Sequence, residues 1–433
     1  MAKHLRTSGP FLIKQVRLID PYAGFDDTVD VVVDSTGVRV ANGAVESAET
    51  FNGKGLWALP GLVDLQVHFR QPGFEYKETI ETGSRAAFAG GITSVVVMPN
   101  TQPTLDTPEE VRFESEESER VGGARILVAA AVTPKLSGEG LTDHGALKAA
   151  GAVAVTDDGL PVMSDAVMEN SLRACAEHDL LFMQHAEDLS MTDHAPMTES
   201  DVSRAIGVRG QPAAAEGVMV ERDIALAEKT GARYHVLHTT TGRSIEAVRQ
   251  ARGRGLAVTC EVSPHHLLLT YEACRGADPN FKMNPPLRSE DDRRALVQAL
   301  VDGTASAVAT DHAPHSAEEK AKGFTDAPFG VIGLETAFSA LMTFVHDGTI
   351  SDTRAVELMT SGPAQVLKRE GRLGTVLGGD APSDLCLVDP NRRWTVGDET
   401  LHGKSRNSSF LGHVFKGKVV ATFFGGELRF DDR

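Results

Sequence analysis

A chain of 433 residues has room for one large domain and an appendage, and a single barrel absorbs most of that length. Its apolar fraction of 41% and charged fraction of 24% are those of an ordinary soluble globular protein. The net charge of -17, with no basic stripe, excludes a nucleic-acid partner, although a few local cations still suffice for a small anionic substrate.

In chain order, residues 1–6 are basic but no continuous apolar stretch follows them, and no run of about 18 apolar residues occurs anywhere. Neither secretion nor a membrane span is expected, and the expected location is the cytoplasm. Residues 11–19 and 29–40 read as strands, with Gly-rich turns and no long helix between them. From residue 62 a different rhythm begins. Short β-branched or apolar runs at 62–68, 93–98, 125–131, 152–156, 181–185, 234–238, 256–262 and 306–310 alternate with helix-like segments. Those segments lie at 78–89, 108–120, 164–177, 215–229, 244–254 and 290–301. Eight strands alternating with helices predict an α/β fold, a (β/α)8 TIM-like barrel. A doubly wound open sheet is the rival, but no Gly-rich dinucleotide fingerprint follows the first strand. Residues 384–388 and 418–429 return to strand patterning. The two ends are expected to pair into one small β-sandwich, from residues 1–58 and 366–433, around a barrel at 59–365.

Cys175, Cys260, Cys274 and Cys386 are scattered without CxxC pairing and are expected to be free buried thiols. The acidic run Glu114-Ser115-Glu116-Glu117-Ser118-Glu119 lacks histidines and ligand spacing, and is expected to be a solvated outer helix face.

Residues able to bind metal or move protons collect at the C-terminal ends of the strand candidates, where barrel active sites are built. In Asp64-Leu65-Gln66-Val67-His68-Phe69-Arg70, alternation puts Asp64, Gln66, His68 and Arg70 on one side, with Leu65, Val67 and Phe69 facing the helices. Four polar side chains pointing into a barrel are costly unless they bind something. Asp157-Asp158-Gly159 ends the fourth strand candidate, and is by itself also an ordinary turn sequence. His185 and His238 close neighbouring strands. A lone strand histidine is more often a satisfied core residue, but a pair at equivalent depth favours imidazole coordination of zinc. Asp311, ending the eighth strand, is placed as a metal-adjacent general base, and His315 on the following loop as an anion contact. His68, Asp158, His185, His238 and Asp311 together make a site for one or two divalent ions.

The segments DLQVHFRQPG (64–73), VMPNTQP (97–103), Asp157–Gly159, His185–Asp188, His235–His238, Ser263–His266, KMNPPLR (282–288), ATDHAPH (309–315) and APFGVIGLE (327–335) resemble those of the dihydroorotases of the amidohydrolase superfamily. The likeness is collinear over nearly the whole chain. It implies that His68, Asp158, His185, His238 and Asp311 are metal ligands, with Asp158 bridging two zinc ions and Asp311 also the catalytic acid/base. The choice of Asp158 over Asp157 rests on its separation of 27 residues from His185. The resemblance further implies that Arg70, Asn100 and His315 grip a substrate carboxylate, and that Asn284 with the Phe329-Gly330 backbone holds the ring amides. The implied reaction is the reversible hydrolysis of dihydroorotate to N-carbamoyl-aspartate in pyrimidine synthesis. The resemblance is also compatible with a homodimer and with an aspartate transcarbamoylase partner.

Gln66 departs from the family pattern Asp-x-His-x-His, supplying at best a neutral oxygen in place of the first histidine. Either one metal position is weakened, or the chain is a noncatalytic relative that supports aspartate transcarbamoylase. Hydantoinases and allantoinases are the nearest enzymatic competitors. Those relatives bridge their metals with a carboxylated lysine, and no lysine lies between Lys148 and Lys229.

Overall fold

The computed structural model describes residues 7–433 except 42, 44, 46, 47 and 379; the basic segment 1–6 therefore lies outside the described residues. Eight parallel strands form in the expected places: β1 (Leu62–Val67), β2 (Ile92–Val97), β3 (Arg125–Ala130), β4 (Ala154–Val155), β5 (Leu181–Gln184), β6 (Arg233–Val236), β7 (Val258–Val262) and β8 (Ala307–Val308). They follow one another in sequence order around the sheet. The ring is drawn together by a parallel bridge between Val67 and His312, where the His68 amide donates to the His312 carbonyl at 2.9 Å. This is the α/β barrel that the alternation implies.

The helices follow the apolar periodicity. Ile80–Ala89, Pro108–Val121, Asp165–His178, Ala214–Thr230, Gly242–Gly253 and Glu290–Asp302 occupy the six expected segments. Thr79, Ser164, Thr241 and Ser289 each accept from the backbone N–H three residues on, satisfying a donor that the first turn leaves free. Helix 214–230 stops on Gly231 at φ +72°, a left-handed position that glycine enters at little cost.

Two of the sequence expectations need correction. The register slips between Asp64 and Val67, so alternation fails across β1. Leu65 joins Val63, Val96, Ala129, Met183 and Ala307 in the inner apolar cluster, whereas Val67 and Phe69 do pack outward with the helices. Asp64 is not part of a column aimed at the site: its carboxylate accepts from the Thr310 amide at 3.0 Å and the Thr310 hydroxyl at 2.6 Å. The acidic run is not wholly solvated either. Glu114 and Ser118 are buried on the inner side of their helix, and burial pushes the Glu114 carboxyl well above the usual range. The four cysteines are free and buried, as expected.

Terminal strands form one nine-stranded mixed sheet in which Leu385–Thr395 runs antiparallel to Trp57–Pro60, joining the two ends of the chain. Strands Phe11–Asp20 and Val414–Phe424 are three steps apart in its order. In a flat sheet that separation is about 14 Å. The rings of Phe11 and Phe423 nevertheless stand 5.1 Å apart, so the sheet folds over and closes its inner face on a second apolar core. It is fastened to the barrel by a Gly61 N–H donated to the Asp384 carbonyl at 3.0 Å and an Arg125–Asp384 ion pair at 2.6 Å. No helix among the described residues is long and apolar enough to cross a membrane.

Candidate active site

At the C-terminal ends of the barrel strands lies a cavity of about 300 Å³, lined among others by His68, Arg70, Asn100, Asp158, Asn284 and Asp311. His185, His238, His315 and the Phe329-Gly330 segment complete its walls. Apart from Gln66, every residue the sequence nominates for the site meets in this one space.

The ligand-type groups form two triads that share a carboxylate, His68–Asp158–Asp311 and Asp158–His185–His238, with candidate atoms within 4.8 Å of one another in each. The two oxygens of Asp158 face different triads. Oδ2 is 3.3 Å from His68 Nε2, while Oδ1 is 3.4 Å from His238 Nε2 and 3.6 Å from His185 Nδ1. His185 Nδ1 and His238 Nε2 are 3.0 Å apart. Local backbone makes this convergence possible: β4 and β8 are only two residues long, and Asp311 and His238 adopt φ +50° and +28°, turning their side chains into the cavity.

The electrostatics are those of imidazole rings packed against carboxylates. Burial works against a charged His68, but Asp158 and Asp311 outweigh it and hold the ring up at about 9. Burial alone would raise Asp158, yet the rings of His238 and His68 hold it well below the ordinary carboxylate range. Buried imidazoles and carboxylates that converge in this way are a donor set suited to a divalent cation.

Asn100 accepts from His68, with Oδ1 2.8 Å from Nδ1, so the Nε2 proton, which faces Asp158 and Asp311, is the one that leaves when the ring becomes neutral. Arg70 sits beyond the end of β1 at φ +63°, its Nε donating to the Pro314 carbonyl at 3.3 Å. Burial lowers the guanidinium to about 10, still charged at neutral pH. His315 points Nε2–H at the Phe329 carbonyl, 2.7 Å away; burial and the cations Arg70, Lys77 and Lys320 hold this ring far below its usual value, hence neutral.

Gln66 is fully buried and does not line the cavity, and neither its Oε1 nor its Nε2 has a hydrogen-bond partner among the described residues. A buried amide left unpaired costs on the order of 1–3 kcal/mol. Asp158 Oδ1 likewise has no hydrogen-bond partner among the described residues.

Three residues escaped the sequence reading. Glu187, two positions after His185, accepts from that ring and from Asn284. Its place in His185-Ala186-Glu187-Asp188 was the available signal. Asn407 comes from the segment outside the barrel; it donates to the Ala313 and Gly330 carbonyls at 3.0 and 3.1 Å and accepts from the His315 amide at 3.1 Å. It thereby spaces two walls of the cavity, and nothing in its local sequence announces that. Lys320 is buried against three carbonyls, of Pro279, Lys282 and Pro328, and so braces the loop that leads to Phe329.

Comparison with known proteins bears on this geometry. Residues 55–244 match the family model described as dihydro-orotase-like. The chain is 44% identical over 423 residues to a dihydroorotase of Solibacter usitatus (strain Ellin6076), covering 97% of this chain and 98% of that one. It is 43% identical to a dihydroorotase of Anaeromyxobacter dehalogenans (strain 2CP-1 / ATCC BAA-258), again over 97% and 98%. Among solved structures, an L-hydantoinase from Arthrobacter aurescens superposes with a TM-score of 0.86 at 25% identity, covering 98% of this chain and 96% of that one. A D-hydantoinase from Thermus sp. gives 0.81 at 23% identity, over 98% and 96%, a likeness of fold alone.

Proposed function

The chain belongs to the dihydroorotase family, and from that premise we propose that the cavity around Asp158 is where it opens and closes the cyclic amide of dihydroorotate, with N-carbamoyl-aspartate as the ring-opened partner. It is a metal-dependent cyclic amidohydrolase. The donor set fits divalent ions: three imidazoles and two carboxylates, all buried, arranged as two triads about one shared carboxylate whose Oδ1 has no hydrogen-bond partner among the described residues. Zinc is the ion that such nitrogen and oxygen donors favour. His185, His238 and Asp158 would hold one ion, and His68, Asp311 and Asp158 a second, with the Gln66 carbonyl as its weak additional donor.

When bound, a divalent metal activates water near neutral pH and polarises the ring carbonyl. The protein's own groups supply the rest. Asp311 takes the proton of the attacking water and returns it to the departing ring nitrogen; in the synthetic direction the same carboxylate runs the reverse transfer. Arg70 presents a planar fork to the substrate carboxylate, with the Asn100 amide and His315 beside it. Asn284 and the Phe329-Gly330 backbone meet the ring amides.

The observation that carries this reading is the presence of both triads and Arg70 in one cavity. Hydantoin has no carboxylate for Arg70, and a carboxylated lysine has no counterpart here, since Asp158 stands between the triads. Zinc content measured alongside dihydroorotate hydrolysis by the pure protein tests it. A noncatalytic role beside aspartate transcarbamoylase rests on Gln66 alone, and protein that neither binds zinc nor opens the ring would favour that second reading.

A further inference from the structure

We infer that Glu187 is a positioning residue that fixes the ring of His185 and the amide of Asn284 through one carboxylate oxygen, so that metal retention and the grip on the substrate ring depend on the same group. The inference rests on the proposed roles of His185 as metal ligand and Asn284 as substrate contact. Glu187 Oε2 lies 3.0 Å from His185 Nε2 and 2.7 Å from Asn284 Nδ2. A carboxylate only accepts, so both neighbours must donate to it. For His185 this selects the tautomer with hydrogen on Nε2, and the bare lone pair on Nδ1 is left facing Asp158 Oδ1 and His238 Nε2. For Asn284 it selects the orientation with nitrogen toward Glu187, and Oδ1 then accepts from Gln211 Nε2 at 3.3 Å. The carboxylate is itself immobilised. Glu187 is buried, and its other oxygen accepts from the Thr192 hydroxyl at 2.5 Å. Thr192 belongs to the short helix Leu189–Thr192, whose N-cap is Asp188, so the acceptor is anchored one turn from the ring it orients.

Glu187→Gln tests this at nearly constant volume. The new amide has one acceptor oxygen for the three donors of His185, Asn284 and Thr192, and it lacks the charge that holds the His185 proton on Nε2; the hold on the ring weakens, and rotation or transfer of the proton to Nδ1 then withdraws its lone pair from the metal side. The expected result is a loss of about 10- to 100-fold in zinc affinity, read by chelator competition with zinc alone, together with a raised KM for dihydroorotate. Asn284→Ala is expected to raise KM while leaving zinc affinity within about twofold, which separates the two arms. Thr192→Val, which removes only the hydroxyl on Oε1, should loosen zinc in the same direction and by less. His185→Ala distinguishes this inference from the site assignment beneath it. If His185→Ala leaves zinc affinity unchanged, His185 is not a ligand and both fall. If His185→Ala releases zinc but Glu187→Gln keeps wild-type affinity, the positioning role alone is overturned. Should Glu187→Gln fail to fold, unchanged zinc affinity in Thr192→Val overturns it as well.

Discussion

His68 Nε2 stands 3.2 Å from Oδ1 of Asp311, although the two residues are 243 positions apart in the chain. They meet only because β1 and β8 are neighbours at the closing seam of the barrel, where Val67 bridges to His312. The contact makes the proposed acid/base a member of one triad while its carboxylate still faces the cavity.

Asp311→Asn should therefore abolish turnover and leave the fold intact, because it removes the proton carrier at constant volume. The loss of a general base is worth roughly 10²-fold or more. Turnover above about a tenth of wild type, in protein with an unchanged melting temperature, would show that another group moves the proton.

Arg70→Lys should mainly raise KM for dihydroorotate. Lysine keeps the charge but loses the two-pronged donor, and it cannot reproduce the contact from Nε to the Pro314 carbonyl. Steady-state kinetics with dihydroorotate and with hydantoin check this: unchanged KM, or equal activity on the ring without a carboxylate, contradicts the assignment of Arg70.

Gln66→His restores the donor that the family pattern has at this position. The buried, unpaired amide of Gln66 is the observation that motivates it. Zinc per chain should rise towards two, and turnover with it, the gain falling on the ion beside His68. Metal analysis of the two proteins decides. Two tightly held zinc ions in the wild type and no change on substitution would make Gln66 a tolerated ligand swap.

Lys320 gives a pH-dependent expectation. Its ammonium donates to backbone carbonyls, and burial, with the nearby charge of Lys282, pushes it down to about 7 from an ordinary value of 10.5. Between these values the unfolded chain binds a proton that the folded chain does not, so stability from this group rises as pH goes from 7 to 10.5. The penalty is complete below 7. Lys320→Met should remove that slope, measured as unfolding free energy by denaturant titration across the interval. An identical slope in both proteins would show that Lys320 titrates normally.

Local patterning along the chain carries the alternation of strands and helices, the pairing of the two chain ends, and most of the residues that line the cavity. The reason is geometric: in a parallel barrel every strand delivers its C-terminal end to the same rim, so His68, Asp158, His185, His238 and Asp311 must converge whatever the details of packing. The unpaired cysteines and the lysine-free interval from Lys148 to Lys229 are legible directly, since residue order alone carries them. Relationships across strands and between the two sheets have no such local trace. The slip between Asp64 and Val67 is a register property, which depends on the neighbouring strand and breaks the simple alternation that had aligned Asp64 with Gln66. Burial of Glu114 depends on how its helix is rotated against the barrel. Glu187 and Asn407 act through hydrogen bonds to partners 97 and 94 residues away, to Asn284 and Ala313 respectively. Hydrogen bonds of that range leave no periodicity in the chain, because the geometry that makes them exists only once the barrel and the terminal sheet have closed on one another.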